Sequence, residues 1–137
     1  MKTIKVVAAV VTKDGKYLCM QRCRSRESYN SERWEFPGGK VEKKDESDHE
    51  ALIREIKEEL DWNIYVGRKI ATITHSYPDL TIELTAYWCK GDDEEFTMLE
   101  HLDAKWLAAD ELNSLKWTDA DKKIVARILQ DSITVTP

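Results

Sequence analysis

The sequence predicts an α+β domain in which a mixed β-sheet is sandwiched between helices, a single unit covering residues 1–137. Two observations lead to this. Short β-branched and alternating runs, separated by turn residues, recur through the chain. Two stretches of helical periodicity, one in the middle and one near the end, interrupt and close that series. Strands, a helix, more strands and a terminal helix place helices against the faces of one sheet.

Ile4–Thr12 reads as the first strand and Lys16–Arg22 as its return, with Lys13-Asp14-Gly15 as a hairpin signal between them. Residues 23–33 are polar and carry Arg24, Arg26 and Arg33, so a mobile basic loop is expected, either plainly solvated or reaching for phosphate. Trp34-Glu35-Phe36 is a short strand stopped by Pro37-Gly38-Gly39, and Lys40–Glu42 is extended. Ser47-Asp48-His49-Glu50 has the form of a capping box, opening a helix that runs to about Leu60. Its apolar stripe is Leu52, Ile53, Ile56 and Leu60. Strands follow over about Asn63–Thr74 and Leu80–Lys90, joined by Ser76-Tyr77-Pro78-Asp79. Ile82, Leu84, Ala86 and Trp88 share one face of the second. Lys105-Trp106-Leu107 is a short strand and Ala109–Leu112 a helical turn. Thr118-Asp119-Ala120-Asp121 opens the last helix, with Ile124, Val125, Ile128 and Leu129 at core spacing.

Composition narrows the partners. Hydrophobic residues are 42% and charged residues 34%, ordinary for a soluble domain. No apolar run approaches the ~20 residues of a membrane span, and the N-terminus lacks the pattern of a signal peptide. Cys19, Cys23 and Cys89 are odd in number without zinc spacing, which points to free thiols and a cytoplasmic location. The net charge of −5 argues against a nucleic-acid polymer but not against a small nucleotide. A monomer and a homodimer are equally open. His49, His75 and His101 share no ligand spacing and read as surface residues, and the five tryptophans as core and sheet-face packing.

The chemistry lies in the middle helix. Glu55, Glu58 and Glu59 are three and four residues apart, so their carboxylates share a side about a quarter-turn from the stripe. Like charges so placed repel, and no row of lysines relieves them. A solvated acidic face is the plain alternative. A hard divalent cation is the chemical one, and oxygen-only ligands suit Mg²⁺ or Mn²⁺ better than zinc.

Gly39, Glu46, Arg54, Glu55, Ile56, Glu58 and Glu59 resemble the signature of the Nudix hydrolases. That signature reads Gly, five residues, Glu, seven residues, Arg-Glu-apolar-any-Glu-Glu-any-Gly-apolar. The likeness extends to Trp34-Glu35-Phe36-Pro37-Gly38-Gly39-Lys40-Val41-Glu42, the N-terminal hairpin and the terminal helix, as in MutT-like members. Two departures stand out: Lys43-Lys44-Asp45 holds one extra residue before Glu46, and Asp61 replaces the glycine after the acidic pair. The first lies in a loop, where length is cheap. The second needs a left-handed C-cap, which Asp tolerates better than most residues.

The resemblance implies an α/β/α Nudix fold and Mg²⁺-assisted attack of water on a diphosphate linkage. It implies Glu55, Glu58 and Glu59 as metal ligands and Arg54 as an orienting partner. Gly38 and Gly39 form a tight turn whose carbonyl also faces the metal, and Glu46 braces the loop. Glu100, six residues before Trp106, matches an extra carboxylate of MutT-like members, and Arg22 matches an arginine that contacts the phosphates. Phe36 and Tyr77 are candidates to line the base pocket. Asp121 stands where relatives that clear oxidised guanine nucleotides carry Asn, while Ala120-Asp121 is similar to CTP pyrophosphohydrolases. An ionised carboxylate only accepts hydrogen bonds, which suits the amine of cytosine. Asp121 could equally complete a capping box with Thr118. The expected activity is hydrolysis of cytidine nucleotides (CTP, dCTP, 5-methyl-dCTP) to the monophosphate and pyrophosphate. Cleavage of 8-oxo-dGTP and a non-catalytic nucleotide-binding module are the rivals.

Overall fold

The computed structural model describes residues 2–26, 29–45 and 47–135, with side chains followed to residue 131. Glu46 lies outside them. Strand β1 (Thr3–Lys13) turns directly into β2 (Lys16–Arg22), with Lys13 opposite Lys16. Asp14 and Gly15 both have positive φ, 52° and 76°, as a two-residue type I′ turn requires. The short strand β3 (Trp34–Glu35) pairs with β2, and β4 (Gly38–Lys40) pairs with β1. The expected tight turn at Gly38-Gly39 is therefore corrected: the pair is extended and in register with Ala8 and Val7. Glycine serves close approach there, since a Cβ at Gly38 would overlap the Val7 carbonyl and one at Gly39 the Glu55 carboxylate.

Helix α1 spans Asp48–Leu60. Ser47 Oγ accepts the Glu50 N–H at 3.1 Å, and Asp61 closes the helix in the left-handed region (φ 47°, ψ 47°). Its buried side is Ala51, Leu52, Ile56 and Leu60. Ile53, expected in the stripe, is 43% exposed, because it lies ~100° around the helix from Leu52. Glu59 is buried instead. Positions 52, 56, 59 and 60 are spaced i, i+4, i+7 and i+8, so this glutamate occupies a stripe position.

Strands β5 (Ile64–Ser76) and β6 (Thr81–Gly91) form a long antiparallel pair. β6 runs parallel to β1 from Thr3↔Thr81 to Val11↔Cys89. β7 (His101–Ala108) is longer than the expected Lys105–Leu107 because its whole length pairs with β2. A 3₁₀ segment, Ala109–Ser114, leads to helix α2 (Asp119–Val135). Among the described residues these seven strands form one mixed sheet with β3-β2-β1-β6-β5 as its path. β1 is buried on both faces: Val7, Ala9 and Val11 pack with α1, Ala8 and Val10 with α2. Trp34, Trp62 and Trp117 are core residues. No helix among the described residues is long and apolar enough to cross a membrane.

The site follows from how β1 shares an edge. β4 takes its first half and β2 its end, and the segment Glu35–Pro37 crosses between them, anchored by Ala9 N–H on the Pro37 carbonyl at 2.8 Å. That crossing carries Glu35 and Phe36 into the gap between α1 and the start of α2.

Candidate active site

A cleft of 720 Å³ occupies this gap. The β4–α1 junction supplies Gly38, Gly39, Glu55 and Glu59, and the start of β7 supplies Glu100 and His101. Arg22 and Glu35 stand between these and the far end, where Phe36, Tyr77 and Asp121 line the wall. Glu58 does not line the cleft. The three helix carboxylates thus have different environments: Glu59 is 8% exposed, Glu55 half-buried and Glu58 on the surface.

Arg54 partners two of the three. Its Nη1 lies 3.0 Å from Glu55 Oε1 and 3.3 Å from Glu58 Oε2, while Nε and Nη2 fork onto Asp45 at 2.9 and 2.8 Å. Nη2 also donates to the Lys40 carbonyl at 3.0 Å. The repulsion expected along this face is thus met in part by one guanidinium, which ties α1 to the loop before it. The hydrogen bonds from Arg54 pull Asp45 down to about 2.

Glu59 is the carboxylate that Arg54 does not reach. Burial, followed by the charges of Glu35, Glu55 and Glu100, raises its pKa to about 9, against the pull of the Gly38 N–H. Its Oε1 is buried without a hydrogen-bond partner. Burial also raises Glu55, with Arg54 opposing. Orphaned carboxylate oxygen beside two further acids is the donor chemistry that suits a hard dication. The residues fit Mg²⁺ or Mn²⁺, with Glu59, Glu55 and Glu100 as the side chains that would hold it. Among the described residues no three such groups already converge on one point, so Glu55 would exchange Arg54 for the cation.

Two residues of the cleft went unrecognised in the sequence. Glu35 accepts Arg22 Nη1 at 2.9 Å on one oxygen and faces His101 Nε2 at 2.9 Å on the other. Strand alternation was the available signal, since Glu35 lies between Trp34 and Phe36, both core residues, and must face the other way. His101, expected at the surface, has a 5% exposed side chain, because β7 starts four residues earlier than expected and carries it inward. It gave no signal of its own. His75 is also partly enclosed, edge-on to Tyr77 at 4.6 Å.

At the far end Phe36 packs on Trp117 at 4.8 Å and Tyr77 stacks on Tyr29 at 4.6 Å. Asp121 is buried, and its Oδ2 accepts the Phe36 N–H at 2.9 Å. Its own N–H donates to Thr118 Oγ1 at 3.2 Å, whereas the Thr118 N–H goes to the Trp34 carbonyl at 2.9 Å. Asp121 therefore forms half of a capping box through its backbone, while its carboxyl holds the Phe36 N–H at the wall of the cleft. Burial, then Glu35, holds that carboxyl well above the usual range.

The chain matches the NUDIX domain over residues 1–128. It is 36% identical over 121 residues to a CTP pyrophosphohydrolase of Escherichia coli K12, covering 88% of this chain and 87% of that protein. An 8-oxo-dGTP diphosphatase of the same organism is 22% identical over 128 residues, 93% of this chain and 98% of the other. The solution structure of the E. coli ORF135 protein superposes with a TM-score of 0.83 at 32% identity, over 99% of this chain and 95% of that one. With the fold, the acid-lined cleft and these likenesses in agreement, the chain belongs to the Nudix family and is a Nudix hydrolase.

Proposed function

We propose that this chain hydrolyses nucleoside triphosphates to the nucleoside monophosphate and pyrophosphate with Mg²⁺, or Mn²⁺ in its place, and prefers cytidine nucleotides (CTP, dCTP, 5-methyl-dCTP). One observation carries the reading: Glu59, whose Oε1 is buried without a partner, lines a cleft that also holds Arg22 and ends at Asp121. A polyphosphate fits between the two ends, its charge met at one by the cation and at the middle by Arg22. Bound Mg²⁺ would neutralise the phosphates and acidify the attacking water. Glu55, Glu59 and Glu100 hold that end of the cleft, and one of these carboxylates accepts the proton of the water. Arg54 orients Glu55, and Gly39 leaves room for its carboxylate. Glu58 acts from outside the cleft, as the second carboxylate on Arg54. With all three cysteines free, a reducing cytoplasm is the compartment that suits the chain.

The base preference rests on Asp121. Protonated, it offers an O–H to cytosine N3 and a C=O to the exocyclic amine, a two-point match. Ionised, it would instead accept from two donors, as on the edge of guanine, which is the specific support for the 8-oxo-dGTP alternative. The likeness to a CTP pyrophosphohydrolase supports the first. Comparing kcat/KM for CTP, dCTP, 5-methyl-dCTP and 8-oxo-dGTP tests the choice. A preference for 8-oxo-dGTP of about tenfold, ~1.4 kcal/mol, overturns it. Nucleotide binding without pyrophosphate release would make the chain a non-catalytic module.

A further inference from the structure

The hydrogen bonds around Glu35 are divided in a way that bears on Arg22. A carboxylate facing a guanidinium prefers to use both oxygens, in a parallel two-point pair. Glu35 and Arg22 do not do this. Glu35 Oε1 takes Arg22 Nη1 at 2.9 Å, while Oε2 is 2.9 Å from His101 Nε2. A carboxylate only accepts, so Nε2 is the nitrogen that carries the proton. Glu59 Oε1 lies further from that same Nε2, at 3.9 Å, and the other ring nitrogen, Nδ1, is buried without a partner. Glu35 is thus the sole close polar anchor of this ring among the described residues. Arg22 in turn leaves Nε buried and unpaired, and its outer end reaches the cleft with a side chain 40% exposed. Both two-point pairings of a guanidinium with a carboxylate engage Nη2, the nitrogen that the present arrangement leaves for the cleft.

We propose that His101 is a positioning residue that keeps Arg22 open to the polyphosphate by occupying the second oxygen of Glu35. Without the imidazole N–H, Glu35 turns both oxygens to Arg22, and the guanidinium is spent within the protein. His101 never touches substrate in this scheme. Its effect travels through one carboxylate to one arginine, so it shows in binding rather than in the chemical step. The proposal rests on the triphosphate reading above.

The test compares His101→Phe, which keeps a ring but no N–H, with His101→Gln, which keeps an N–H of similar reach. KM for CTP and Kd for its non-hydrolysable α,β-methylene analogue are measured for each. One charge-assisted hydrogen bond to phosphate corresponds to about a tenfold rise in both constants for His101→Phe, with kcat within about twofold of native. His101→Gln restores most of the loss. In a Glu35→Ala background, His101→Phe adds nothing further, because its path to Arg22 is gone. If His101→Phe fails to fold, His101→Asn, whose amide is too short to reach Glu35, replaces it. Unchanged constants in His101→Phe overturn the proposal, as does an equal loss in the Gln variant or an undiminished loss in the Glu35→Ala background. A native protein that binds the analogue but leaves CTP intact removes the hydrolase reading while the Kd series still judges His101. A native protein that binds no analogue removes both.

Discussion

Asp121 and Glu59 are both acids that the fold pushes toward their neutral forms, and each makes a separate experimental claim. In the proposed cytidine reading the protonated form of Asp121 is the one that pairs with cytosine, and burial with Glu35 nearby raises its pKa. KM for CTP should therefore rise as pH increases from roughly 7 to 9, as the proton is lost. Asp121→Asn supplies the same donor and acceptor without titrating. It should keep KM within about twofold of native and flatten that rise, while Asp121→Ala weakens CTP about tenfold at every pH. A flat native profile together with a damaged Asn variant would return Asp121 to its role as an ionised acceptor. For Glu59, the Gln variant removes the charge that would hold the cation, and kcat with Mg²⁺ should fall by about 10²-fold or more. The same change at Glu58, which sits outside the cleft on Arg54, should cost less. Equal losses would put Glu58 inside the working site.

The elements show which local signals carried and which did not. The hairpin turn and the cap at Ser47 were legible because they rest on residues adjacent in sequence. The left-handed Asp61 is a departure with a measurable cost. Asp61→Gly should stabilise the domain by about 0.5–1 kcal/mol in urea melts, even after losing the exposed Lys57–Asp61 pair at 3.1 Å. A loss of stability would mean that the pair outweighs the backbone strain. Gly39 makes the opposite kind of claim. An added methyl meets the mobile end of Glu55 rather than backbone, so Gly39→Ala should leave the melting temperature nearly unchanged and weaken Mg²⁺ about tenfold. The starts of β4 and β7 were misplaced because both are set by distant partners, β1 and β2 respectively. No propensity near Gly38 or His101 encodes those pairings.

Over the whole molecule, the raised acids link folding, pH and metal. Glu59 has a folded pKa of about 9, well above the ~4.3 of an unfolded glutamate. The folded state therefore keeps a proton that the unfolded chain has released. This contribution is complete below the unfolded value and is lost as pH rises toward 9, with Asp121 acting in the same direction. The metal-free protein should lose stability steadily between about pH 5 and 9, and Mg²⁺ should restore it. Binding of Mg²⁺ near pH 7.5 should release close to one proton, read by calorimetry in buffers of different ionisation enthalpy. Glu59→Gln should abolish both the metal response and most of the alkaline loss. Metal binding without proton release in the native protein would show that Glu59 is already ionised.

By itself the sequence determined the alternation of strands and helices, the capped amphipathic α1 and the run of Arg54–Glu59, because each of these depends on residues a few positions apart. It also marked Arg22, Glu100 and Asp121 as charged positions worth following. Only the tertiary structure decided how unlike one another those charges are. Glu59 lies in the core stripe, Glu58 on the surface, Asp121 buried on the Phe36 N–H, and Glu35 and His101, from two strands that each pair with β2, face one another. A carboxylate's proton affinity and partners depend on what the fold brings around it from across the chain, and that surrounding is not written in its neighbours.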